Sequence, residues 1–86
     1  MPARELLGDL FRETGRPQLA LPEYEASLRQ APNRLNSLYG AARSAELSGE
    51  PDRAREFYAK LLDNLGDRSG NREEAKQARD FLSKAK

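Results

Sequence analysis

The chain has 86 residues, 37% of them apolar and 34% charged, with 15 basic against 14 acidic side chains and a net charge of +1. That length is one small domain with a modest core, and so even a charge balance offers little hold to a phosphate backbone or an anionic membrane. Cysteine and histidine are absent, which removes disulfides, thiolate zinc sites and Cys- or His-based catalysis together, and no apolar run approaches the length of a membrane span or a secretory leader.

The apolar residues are almost all Leu and Ala, thirteen and twelve of them, with no Val or Ile. Strands favour β-branched residues and helices favour Ala and Leu, so the expectation is an all-α chain. In chain order, Leu6, Leu7, Leu10 and Phe11 recur at helical spacing, and Gly15 stops that first helix. Pro17 and Pro22 follow, each suited to a loop or to the first turn of a helix. Ala20, Tyr24, Ser27, Leu28 and Ala31 mark a second helix, ended near Pro32. Leu35, Leu38, Tyr39, Ala41, Ala42 and Ala45 form a third, ended at Gly49. Pro51 then opens a fourth, whose buried face is Ala54, Phe57, Tyr58, Leu61, Leu62 and Leu65 and whose stop is Gly66. Residues 66–70 are a loop. Asn71 offers an N-cap with Glu74 as its capping-box partner, and Ala75, Ala78, Phe81, Leu82 and Ala85 give the fifth helix a narrow apolar stripe. A helix apolar on one side only suits the end of a stack.

A shift of 34 residues superimposes the chain on itself. Gly15 falls on Gly49, Pro17 on Pro51, Ala20 on Ala54, Tyr24 on Tyr58 and Leu28 on Leu62, with Gly8 opposite Ala42. One supersecondary unit is therefore used twice. These residues resemble the tetratricopeptide repeat (TPR), the first unit through Leu7, Gly8, Phe11, Gly15, Ala20, Tyr24, Ser27 and Pro32. The second unit follows through Leu38, Ala41, Ala42, Ala45, Gly49, Ala54, Tyr58 and Leu61. Ala45 replaces the usual aromatic, Gly66 stands in the place of the proline, and Arg4 stands where a large apolar residue is usual. The resemblance implies a single TPR-like α-α superhelix over 1–86: repeat 1 over about 2–33, repeat 2 over about 34–66 and a capping helix over about 71–86. The small pairs Gly8 with Ala20 and Ala42 with Ala54 are expected to let the helices touch. Arg outnumbers Lys eleven to four, and the composition fits the C-terminal portion of a bacterial TPR protein.

By the same resemblance, the first helix of each pair lines a concave groove that takes an extended peptide or a partner helix. Its positions are Glu5, Asp9, Arg12 and Glu13 in the first unit and Asn36, Tyr39, Arg43, Glu46 and Leu47 in the second. Asp9, Arg12, Asn36, Tyr39 and Arg43 are the expected peptide contacts, each also readable as a solvated residue or an intra-helix pair. Tyr39 is foremost because an amphipathic ring suits a contact surface. The family's carboxylate clamp for chaperone tails is missing, since Glu5, Asp9 and Gly40 occupy its basic and Asn positions. The expected function is thus a protein–protein interaction module of the cytoplasm, not an enzyme, with a protein or peptide partner, no cofactor and no metal. The alternative is a structural segment of a longer helical array that self-associates through an exposed apolar edge. The serines have no histidine to activate them, and Asp63 to Glu74 lacks the turn glycine of a calcium loop.

Overall fold

The computed structural model describes residues 3–32, 34–66 and 73–84. Five helices and no strand occur among them: α1 (Ala3–Glu13), α2 (Pro17–Gln30), α3 (Leu35–Leu47), α4 (Pro51–Leu65) and α5 (Glu73–Lys84). Each helix packs on the next, and α1 also touches α3. Two antiparallel hairpins, α1/α2 and α3/α4, thus stack side by side, and α5 closes the far end.

The turns repeat as faithfully as the helices. Gly15 and Gly49 share a φ of 77°, a left-handed conformation that a Cβ disfavours. At the first turn the Arg16 N–H reaches back to the Phe11 carbonyl at 2.7 Å and the Gly15 N–H to Arg12 at 3.3 Å. At the second, Glu50 reaches Ala45 at 2.9 Å and Gly49 reaches Glu46 at 3.3 Å. Both are the double closure that satisfies the last carbonyls of a helix. Pro17 and Pro51 then sit in the first turn of α2 and α4, where a missing N–H costs nothing. Gly66 ends α4 with a φ of 51°. Pro22 departs from expectation: it lies inside α2 rather than in its first turn. It lacks the N–H that would reach the Gln18 carbonyl, and both residues are exposed, so solvent takes the place of that bond. The expected loop beyond Gly66, the proposed Asn71 cap and Ala85 lie outside the described residues.

The core runs along the stack as Ala20, Leu21 and Tyr24, then Leu38, Ala41, Ala42 and Ala45, then Ala54, Tyr58, Leu61 and Leu65, and finally Ala75 and Ala78. Its alanines and two tyrosines are fully buried. A tight approach occurs where Tyr24 meets two glycines. The atoms nearest to where a Gly8 Cβ would stand all belong to the Tyr24 ring, at 3.0–3.2 Å, and a Cβ on Gly40 would overlap that same ring. Tyr24 is therefore clasped between a glycine of α1 and a glycine of α3, with no room for a Cβ at Gly40 and only a tight fit for one at Gly8.

The buried side of α1 is also not its leucine side. Leu6, Leu7 and Leu10 are exposed, whereas Glu5 and Gly8 are buried and Phe11 is half-buried. Glu5, read from the sequence as a groove residue, is instead 1% exposed. Its Oε2 accepts from Arg34 Nε at 2.7 Å and from the Ser37 hydroxyl at 2.5 Å, and Ser37 lies 2.9 Å from the Ser27 hydroxyl. A buried carboxylate is tolerated only when paired and hydrogen-bonded. This one joins α1 to the start of α3 and, through Ser27, to α2. Burial works against its charge. The hydrogen bonds from Ser37, Arg34 and Asn36, together with the Arg34 charge, outweigh that and hold its pKa below the ordinary 4.5.

Candidate functional site

Four of the five expected contact residues converge on the side formed by α1, α3 and α5. In α1, Asp9 and Arg12 are one turn apart, with Arg12 Nη2 3.8 Å from Asp9 Oδ1. Both meet the hydroxyl of Tyr24, which arrives from α2. The phenol donates to Asp9 and accepts from Arg12 Nε at 3.2 Å. Arg12 then reaches over to α3, where its guanidinium carbon stands 5.6 Å from the Tyr39 ring centre, a cation–π distance.

The second hairpin repeats the arrangement 34 residues on, with its charges exchanged. Tyr58 takes the place of Tyr24, Arg43 that of Asp9 and Glu46 that of Arg12. Tyr58 donates to Glu46 Oε1 at 2.7 Å, and Arg43 Nη1 lies 3.3 Å from the same oxygen. In each unit a buried phenol is tied by its tip to an acid–arginine pair on the preceding helix. The acid comes first in α1 and second in α3. Of the two arginines, Arg12 lies over the Tyr39 ring, and Arg43 pairs with Glu46.

Gln77 of α5 extends the row. Its amide lies 2.9 Å from the Tyr39 hydroxyl. Turned with its nitrogen toward that hydroxyl, its oxygen accepts from Nε and Nη1 of Arg43, both at 3.3 Å. Behind it, Phe81 packs on Tyr58 with ring centres 5.0 Å apart. Beyond it opens a cleft of about 690 Å³ lined by Glu46, Gln77, Phe81 and the charged side chains of α5.

These surroundings shape the titration of the cluster. Burial raises the Tyr24 pKa well above 10, reinforced by the carboxylate of Asp9 that accepts its proton, and Arg12 opposes this only in part. Tyr58 is raised by burial and then by Glu46. Burial works against the Arg12 cation, but Tyr24, Asp9 and Tyr39 more than compensate, so Arg12 stays charged. Tyr24 and Tyr58 thus stay protonated and Arg12 stays charged across the neutral range. No group of three or more His, Cys, Asp or Glu placed to hold a metal occurs among the described residues, and no helix of the described residues is long and apolar enough to cross a membrane.

Of the five contact residues read from the sequence, Asp9, Arg12, Tyr39 and Arg43 form this row. Asn36 stands apart from it: exposed at the start of α3, it hydrogen-bonds to Glu5. Glu46, named only as a groove position, is a full member of the cluster. It sits one repeat length after Arg12, beneath the repeat-equivalent tyrosine, and that spacing could have marked it. Gln77 carried the same mark of spacing, standing 34 residues after Arg43, but its side chain matches neither Asp9 nor Arg43 in type. Neither a scan of protein-family models, nor a search of curated proteins, nor a search of solved structures finds a match for this chain.

Proposed function

We propose that this chain is a TPR-type binding module whose face formed by α1, α3 and α5 takes an extended peptide or a helix of a partner protein. The observation carrying the proposal is Tyr39. Half-buried, it is held by Arg12 from one side and by Gln77 from the other, and so bridges three helices at the surface. An amphipathic ring fixed in place by polar neighbours loses little further freedom on binding, and such pre-organised aromatic and arginine side chains dominate contact energies. The exchanged charges of the two tyrosine clusters offer a partner both signs at defined spacing, so the preferred segment carries mixed charge and an apolar or aromatic residue set against Tyr39. The absence of the basic clamp argues against acidic chaperone tails as ligands, and tight binding of such a peptide in calorimetry contradicts the proposal at that point. The TPR reading itself is supported by the 34-residue period, the glycine turns at its two ends and the equivalent tyrosines.

The test is an affinity pull-down with the wild-type chain and a Tyr39→Ala/Arg43→Ala variant. Circular dichroism serves as the check that the helices persist. Partners held by the face are lost from the variant. Identical partner lists refute the assignment.

A further inference from the structure

On the binding face proposed above, Tyr39 offers more than a ring. Arg43 carries only N–H groups, and its Nε and Nη1 both stand 3.3 Å from one end of the Gln77 amide. A donor-only neighbour requires that end to be the oxygen. The amide nitrogen is then the atom 2.9 Å from the Tyr39 hydroxyl, and it donates to the phenol oxygen. Tyr39 keeps its own hydroxyl proton, for which no side chain among the described residues supplies an acceptor. The other two tyrosines differ in this respect, because Asp9 takes the proton of Tyr24 and Glu46 that of Tyr58. Tyr39 is also the half-buried one, standing at the surface where a partner can reach it.

The geometry points to the Tyr39 hydroxyl as a donor to a main-chain carbonyl oxygen of an extended partner segment lying across the face. Arg43, Gln77 and Tyr39 form a chain in which each group donates to the next, and such chains polarise their last donor. The acceptor has to be an oxygen, which Lys and Arg side chains lack. Charge favours a carbonyl over a carboxylate. Asp9 offsets Arg12, and Glu46 offsets Arg43. In the cleft beyond Gln77, Glu46, Glu73 and Asp80 face Lys76, Arg79 and Lys84. No surplus cation is therefore present to offset the hydration that a carboxylate would lose. A helix is the poorer occupant, because all but its last carbonyls are already bonded within it. An extended segment presents carbonyls that still need donors.

Phage-displayed random peptides, selected on the wild-type chain and depleted on Tyr39→Ala/Arg43→Ala, supply the probes. Calorimetry then measures each selected peptide against variants whose circular dichroism matches the wild type. Tyr39→Phe removes the proton. Gln77→Glu keeps both contacts but turns the amide nitrogen into an acceptor, which takes the phenol proton for itself. Each should weaken binding about five- to tenfold, the loss of one hydrogen bond. The double variant should lie within about twofold of either single one, since both remove the same donor. An effect of the new charge alone would persist in the Tyr39→Phe background. Esters accept more weakly than amides, so replacing the peptide's amide bonds one at a time should find a position that weakens binding to the wild type but not to Tyr39→Phe. Affinity unchanged in Tyr39→Phe or Gln77→Glu, additive losses, a peptide that turns helical on binding, or dependence on an acidic side chain with no sensitive ester position overturns the donor role and leaves the binding face standing. If no peptide is lost by the Tyr39→Ala/Arg43→Ala exchange, the face and the donor role fall together.

Discussion

Replacing Gly40 by alanine is a sharp test of the way the hairpins fit together. In an exposed helix that change stabilises by about 1 kcal/mol, because glycine is the poorer helix former. Here the new methyl would overlap the ring of Tyr24, which is 0% exposed and already 3.0–3.2 Å from the Cβ position of Gly8 on its other side. The ring has no free direction in which to move. To make room it must withdraw its hydroxyl from Asp9 and Arg12, or α1 and α3 must part and loosen the Glu5–Arg34–Ser37 junction. Overpacking costs about 1–3 kcal/mol, and a hydrogen bond to a charged group is worth about 1.5–3 kcal/mol. Set against the helix gain, the net loss is about 1.5–5 kcal/mol, a fall in Tm of roughly 6 °C or more for a domain of this size. Thermal and urea unfolding followed by far-ultraviolet circular dichroism measure it. Gly8→Ala should cost less, since its contact is tight but not overlapping. In a Tyr24→Leu background Gly40→Ala should become neutral or stabilising, which assigns the cost to the ring. A Gly40→Ala chain as stable as the wild type would refute the clasp and the stacking built on it.

Other expectations follow from the same contacts. Glu5→Gln should cost about 2 kcal/mol in urea at neutral pH, because Arg34 and Ser37 lose a charged acceptor while Arg34 remains partly solvated. Since the Glu5 pKa is lowered in the folded state, the unfolded chain binds its proton first. This contribution is therefore fully present above the ordinary 4.5 and is lost as pH falls through the lowered value, so the wild-type and Glu5→Gln stabilities should converge in acid. Tyr24→Phe and Tyr58→Phe should each cost about 1–2 kcal/mol by removing a bond to a carboxylate. With both phenols raised above 10, their phenolate absorbance should be delayed on alkaline titration, and their stabilisation, complete below pH 10, should be lost as pH climbs beyond it. Ser44 is fully buried with no partner for its hydroxyl, so Ser44→Ala should raise stability by about 1 kcal/mol in thermal melts; a lower Tm would show that the hydroxyl is satisfied.

The elements that could be read from sequence are those whose cause is local. Gly15, Gly49 and Gly66 stop helices because the left-handed turn needs no Cβ, and Pro17 and Pro51 start them because a first turn needs no N–H. The repeat likewise announced Tyr24 and Tyr58 as a matched pair. The face that α1 buries was not legible, because periodicity establishes a helix without saying which neighbour meets which side. Leucines on one arc read as a core, yet the opposite arc holds Gly8, the space that Tyr24 requires, and Glu5, which finds Arg34 and Ser37 only after α3 is in place. Gly40 did carry a trace: a glycine in mid-helix is a standing cost that close approach explains.

The exchanged charges of the two tyrosine clusters unite these observations. A strict copy of the first unit would put the acid first in α3 as well, so that a carboxylate would stand where Arg43 now meets Gln77 beside Tyr39. With Arg43 in that place, Arg12 lies over the Tyr39 ring and Arg43 reaches the Gln77 that meets its hydroxyl, and each cation keeps its own carboxylate, Asp9 or Glu46. Tyr39 thereby has a cation over its ring while both arginines remain paired with acids. Substitution of a single position breaks this balance: Glu46→Gln releases Tyr58 and leaves Arg43 without its carboxylate, whereas Arg43→Glu sets a second acid beside Glu46. The row is thus ordered by the same hydrogen bonds that anchor the buried tyrosines, so a partner of the proposed face would meet side chains already in position.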